Sequence, residues 1–141
     1  MRWKKVAGGY AVLFEPGDEV LEGLRRLARE TGLRSGSFTG LGAVDHVQLA
    51  FWDPERREYL RQDLHGDHEV GNLTGNLTIL NGEPFVHAHG VVAGRDFAAK
   101  AGHVMTARVS ATLEVHVRDF EAEIQRGMVP EIGLNLWRLE T

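Results

Sequence analysis

Asn81-Gly82-Glu83-Pro84-Phe85-Val86-His87-Ala88-His89-Gly90-Val91-Val92 is the stretch whose reading decides the fold. Upstream of it, Leu73, Leu77 and Ile79 alternate with Thr74, Asn76 and Thr78, the pattern of a strand with one buried face. Asn-Gly directly after such a run marks a hairpin, because both residues tolerate the positive φ of a type I′ turn. The second arm then runs from Pro84 to Val92. Side chains alternate along a strand, which puts Phe85, His87, His89 and Val91 on one face and Val86, Ala88, Gly90 and Val92 on the other.

Two imidazoles therefore stand side by side near the middle of a sheet. A third, His103, lies past a connection that opens with Gly94 and closes with Gly102, and a return of the chain, turned at Gly102, brings it beside the pair. Neutral imidazole is the commonest side-chain metal ligand, and a catalytic zinc site uses three protein ligands with one position left open. Along a strand the Cα atoms of His87 and His89 lie roughly 6.5 to 7 Å apart, close enough for both rings to reach one ion. Burying both without a shared partner would be costly, which favours a metal or ligand site over two ordinary polar residues. The chain has no cysteine, so any metal must be held by His, Asp or Glu. Glu69 and Asp96 are candidates for a supporting acid or base beside the three histidines. The polar run Leu64-His65-Gly66-Asp67-His68-Glu69, with two histidines and two further acids, is a secondary source of ligands, but turns are rich in such residues and a solvent-exposed turn explains it more simply.

With 141 residues, 43% hydrophobic and 26% charged, the chain fits one domain, residues 1–141, with a core of its own. The net charge of -4 carries no basic block, which argues against coating DNA through phosphate neutralisation. No apolar run approaches a membrane span, and a soluble, cytoplasmic protein is expected.

Elsewhere, Tyr10–Phe14 reads as a strand ending at Glu15-Pro16-Gly17. Asp18 is the expected N-cap of a helix whose stripe is Val20, Leu21, Leu24, Leu27 and Ala28 and whose stop is Gly32. The glycines of Ser35–Val44 invite a phosphate-loop reading, but the position of a third fingerprint glycine is Asp45, and a bent or bulged strand fits better. Val47–Phe51, Glu58–Arg61, Val109–Val117 and Ile132–Leu139 read as strands, and Phe120–Arg126 as a short helix.

Gly36-Ser37-Phe38-Thr39-Gly40-Leu41-Gly42-Ala43, Leu73-Thr74-Gly75-Asn76, Pro84-Phe85-Val86-His87-Ala88-His89, Gly102-His103 and Ala111-Thr112-Leu113-Glu114-Val115 occur in this order. Together they resemble the PPC domain, the plant and prokaryote conserved domain, over about residues 9–137. The resemblance implies an α+β fold: a mainly antiparallel mixed β-sheet flanked by one long helix, assembled as a homotrimer. It also implies that the family's histidine cluster falls on His87, His89 and His103. In plants the similar domain follows an Arg-Gly-Arg-Pro-type element that enters the minor groove, and it carries a Gly-Arg-Phe-Glu-Ile-Leu segment. Here no such element occurs, and Gly75-Asn76-Leu77-Thr78-Ile79-Leu80 departs at Arg, Phe and Glu.

Three functions follow as expectations. The first is a trimeric protein holding a divalent ion, zinc, for small-molecule binding or metal-dependent activity. The second is a DNA-associated regulator, which requires Arg95, Lys100 and Arg108 to share one face. The third is an assembly module without chemistry that recruits other proteins.

Overall fold

The computed structural model describes residues 1–139. Its strands are β1 (Arg2–Val6), β2 (Gly9–Phe14), β3 (Gly36–Asp53), β4 (Glu58–Leu80), β5 (Glu83–Ala93), β6 (Ala99–Asp119), β7 (Gln125–Val129) and β8 (Leu134–Arg138), with one helix, α1 (Val20–Thr31). β3 pairs with β4, β4 with β5, β5 with β6 and β6 again with β3, all antiparallel, so the four long strands close on themselves. The hairpin β1–β2 extends the sheet beyond β6. The hairpin β7–β8 joins β4 through the parallel pair Ile79 and Gln125.

Closure depends on bending. Register shifts between Gly40 and Gly42 and between Val44 and His46 break β3 into segments, and another between Val70 and Asn72 bends β4. β3 keeps β4 and β6 on its two sides as it bends, while the free edge of β6 serves β5 at Ala99 to His103 and β2 at Leu113 to Arg118. This is the bulged strand expected for the glycine-rich segment, and a Cβ on Gly42 would stand only 2.2 Å from the Thr112 carbonyl oxygen. Val44, Val47, Leu73, Val92, Val104 and Leu113 fill the space between the four strands and are all buried.

The helix covers β5 and β6 with its buried stripe of Val20, Leu21, Leu24, Leu27 and Ala28. It is 12 residues long, three turns, and so is not the long helix expected. Gly32, at φ 74, takes the left-handed conformation that ends it. Its N-cap is Glu19, not Asp18. Glu19 Oε2 accepts from the Glu22 amide at 2.7 Å while Oε1 accepts from the Ala107 amide at 3.0 Å, so one carboxylate caps the helix and ties it to β6. Asp18 instead accepts from the Glu15 amide at 2.8 Å and pairs with the N-terminal amine.

Asn81 (φ 52) and Gly82 (φ 86) form the expected turn between β4 and β5. Two local expectations fail. Leu64–Glu69 is no turn but the middle of β4, kinked at Gly66 (φ 86), where the His68 ring closes on the Gly66 carbonyl at 2.7 Å. Phe120–Arg126 is not helical. Glu121 has a φ of 55 and its amide donates to Asp119 Oδ1, after which the Ile79 amide donates to the Ile124 carbonyl and β7 begins. The final strand, β8, lies inside the expected 132–139. No helix among the described residues is long and apolar enough to cross a membrane.

Candidate metal centre

His89 and His103 are direct cross-strand partners on β5 and β6. His87 precedes His89 on the same face. The reason is the other face: Val86, Ala88 and Val92 are buried in the core, and the two-residue period leaves both imidazoles pointing outward. Ring centroids are 5.1 Å apart for His87 and His89, 5.1 Å for His87 and His103, and 5.5 Å for His89 and His103. One nitrogen of each ring lies within 4.8 Å of the others.

His103 reaches the pair by a different route from the one expected. The chain turns at Gly94–Ala98 and is already strand at Ala99, so Gly102 is a strand residue and does not turn the backbone. What Gly102 permits is close approach: a Cβ there would lie 2.9 Å from the carbonyl oxygen of Ala50, the β3 partner of His103.

Burial holds the His87 and His103 imidazoles down at about 4, reinforced at His87 by Arg126 and His89 and at His103 by His87, His89 and Arg126. Both rings are therefore neutral at physiological pH, the form that binds metal. His103 Nδ1 is buried and has no hydrogen-bond partner among the described residues. A buried nitrogen lone pair or N–H left unmade is costly, and an ion satisfies a lone pair aimed at it. Three imidazole nitrogens around one point suit zinc and similar first-row divalent ions. The donor set fits.

The surroundings come from elements that no sequence spacing connects to the site. Tyr59 packs on His103 with ring centroids 4.9 Å apart, and Trp52 meets Tyr59 edge-on at 5.1 Å. Burial raises the Tyr59 phenol above its ordinary value. Arg126 of β7, only 8% exposed, donates from Nε to Thr78 Oγ1, from Nη2 to Asn76 Oδ1 and from Nη1 to the Asn135 carbonyl, each at 2.8 Å. It also lies over the Phe85 ring, 4.9 Å from its centroid. Asn76 is the cross-strand partner of His87, which brings this cation up against the histidines.

Glu69 and Asp96 are placed elsewhere. Glu69 is exposed and pairs with Ala93, four residues and roughly 13 Å along β5 from His89. Asp96 sits in the β5–β6 turn, where its Oδ1 accepts from the Ala98 amide at 3.1 Å. Neither belongs to the histidine group. Of the three basic residues, Arg95 and Lys100 are exposed, and Arg108 is tied to Asp45 at 2.7 Å.

The family profile of the Plants and Prokaryotes Conserved (PCC) domain matches residues 2–121. A candidate DNA-binding protein of Bacteroides thetaiotaomicron is 31% identical, with 97% of this chain and 96% of that one covered and a TM-score of 0.93. A second candidate DNA-binding protein, from Ralstonia eutropha, is 30% identical over 98% and 96% of the two chains, also at a TM-score of 0.93. A metal-containing protein from Archaeoglobus fulgidus is 25% identical over 99% of both chains, with a TM-score of 0.87. No curated protein matches in sequence. The chain belongs to the Plants and Prokaryotes Conserved domain family.

Proposed function

We propose that His87, His89 and His103 together hold one divalent metal ion, zinc, and that the protein uses it as a homotrimer to bind a small oxygen-bearing molecule. The observation that carries this reading is the buried, unpartnered Nδ1 of His103 beside two further imidazoles, with His87 and His103 both held neutral. The metal-containing neighbour from Archaeoglobus fulgidus supports it. A zinc ion there supplies Lewis acidity toward a carbonyl or phosphoryl oxygen and, with three protein ligands, keeps one position for that oxygen. The chain's own contribution is positioning. Tyr59 and Trp52 wall one side, and Arg126 supplies a fixed positive charge that favours a ligand with a negative or strongly polar oxygen group.

The trimer is supported by an outer-face groove lined by Trp3, Leu13, Thr39, Leu41, Glu114 and His116, in which Leu41 is 61% exposed. Thr39 pairs with Thr74, and Thr74 with His89, so a second copy seated in the groove comes within two strands of the histidines.

Metal content of tag-free protein tests the reading. The parent retains zinc, and the double variant His87→Ala, His89→Ala carries one equivalent less per chain. Equal retention in both removes the site.

Association with DNA is a second reading, favoured by the two candidate DNA-binding proteins that are 31% and 30% identical to this chain. Against it stand the net charge of -4 and the pairing of Arg108 with Asp45. Little or no retardation of duplex DNA in a gel shift at physiological salt is the expected result, and tight, salt-sensitive binding favours the DNA reading instead.

A further inference from the structure

A second cluster of ligating side chains stands on the β3–β4 hairpin. His46 and His65 are cross-strand partners, and Gln48 and Asp63 are the next pair on the same face. The two imidazoles stack with centroids 4.8 Å apart and planes within 12°. His46 Nε2 lies 2.8 Å from Asp63 Oδ1, and ligand atoms of His46, Asp63 and His65 all fall within 4.8 Å of one another. Gln48 Nε2 donates to both Asp63 oxygens, at 3.3 and 3.1 Å, and so fixes the carboxylate's orientation.

An isolated His46–Asp63 ion pair would account for two of these residues but leaves His65 without a part. Stacking brings the second ring's nitrogen into the same small volume as the first. The register shift between Val44 and His46 matters here: Asp45 goes to Arg108 across on β6, while His46 remains on the face that carries Asp63. The nearest paired cation is thereby neutralised. All four polar residues sit on a two-stranded ladder, so their relative positions are set by strand pairing, and little ordering is needed to bring them round an ion.

We propose that His46, Asp63 and His65 form a second binding site, for a borderline first-row divalent ion such as zinc, independent of the three-histidine group. Two imidazoles and one carboxylate are a donor set such ions accept, with positions left for water. The site is solvent-open, with Asp63 44% exposed in its side chain, and binds more weakly than the half-buried histidines. It is also a separate site. His103 stands beside Ala50, four residues along β3 from His46, which is roughly 13 Å. Paired ions that share chemistry lie about 3.5 to 4 Å apart. The second ion therefore acts as a clamp between β3 and β4, below a hairpin end where Phe51 is 66% and Leu60 43% exposed.

Chelator-stripped, tag-free protein dialysed against micromolar zinc tests this by stoichiometry. The parent binds two equivalents per chain. His65→Ala and, separately, Asp63→Asn each bind one, His87→Ala, His89→Ala binds one, and the combination of His65→Ala with that pair binds none. If His65→Ala and Asp63→Asn both keep the parent stoichiometry, or the parent binds no zinc at all, the second site is overturned. A parent equivalent lost in His65→Ala but kept in His87→Ala, His89→Ala would support the second site while removing the three-histidine one.

Discussion

His89 and His103 face each other directly across β5 and β6, so their meeting is a consequence of sheet register and not of a flexible connection. Anything that displaces β5 relative to its neighbours should therefore disturb the histidine group without touching a histidine. Gly75 offers that test. Its backbone pairs with Ala88, between the two β5 histidines, and a Cβ there would stand 2.1 Å from the His87 carbonyl oxygen and 2.4 Å from the Phe38 ring. Gly75→Ala is expected to cost about 1 to 3 kcal/mol by overpacking and to lower zinc retention, measured by urea unfolding and metal content on the same preparation. Parent-like values for both would show that β5 is not held this closely.

The two buried imidazoles make stability depend on pH in a defined window. In the metal-free protein His87 and His103 titrate at about 4, against 6.5 for the unfolded chain. Between those values the unfolded state binds more protons, so stability rises with pH there and falls as the pH drops from about 6.5 toward 4. Above that window the two groups contribute no slope. The urea midpoint of the stripped parent should fall more steeply across the window than that of His87→Ala, His103→Ala. Parallel curves would mean that the rings are not desolvated.

Arg126 serves three acceptors at once. Replacing it by Met leaves Thr78 Oγ1, Asn76 Oδ1 and the Asn135 carbonyl without their donor, at an expected cost of about 1 to 3 kcal/mol. It also removes a cation that holds the His87 imidazole down, so the His87 titration followed by NMR should move up toward its ordinary range. Unchanged stability together with an unmoved His87 titration would contradict this placement.

Self-association has an equally direct check. Light scattering should give about three times the 15.7 kDa chain mass, and Leu41→Lys in the exposed groove should lower it while leaving the monomer's fold intact. A monomer mass for the parent across a micromolar dilution series would remove the trimer.

Much of the fold and of the histidine group is legible in the amino-acid sequence. The alternation through Leu73–Ile79, the Asn81-Gly82 turn and the face shared by His87 and His89 are local signals, set by strand period and turn conformation. The helix stripe and its Gly32 stop are of the same kind. Pairing between distant strands is not legible in this way. Arg126 reaches the histidines through a single parallel contact of β7, and Tyr59 through the return of a long hairpin, so no spacing announces either. His46 and His65 meet only because β3 and β4 pair in one register, and His65 reads as part of a turn because Gly66 and its polar neighbours imitate one. Glu19 displaces Asp18 as the cap through a bond to β6, a tertiary contact that outweighs the local preference.

Crystals of zinc-soaked protein, measured on both sides of the zinc absorption edge, test the central claim most directly. An anomalous peak bounded by ring nitrogens of His87, His89 and His103 at about 2.0 to 2.1 Å is the predicted result. Anomalous density elsewhere on the molecule, with none among these three rings, would contradict it.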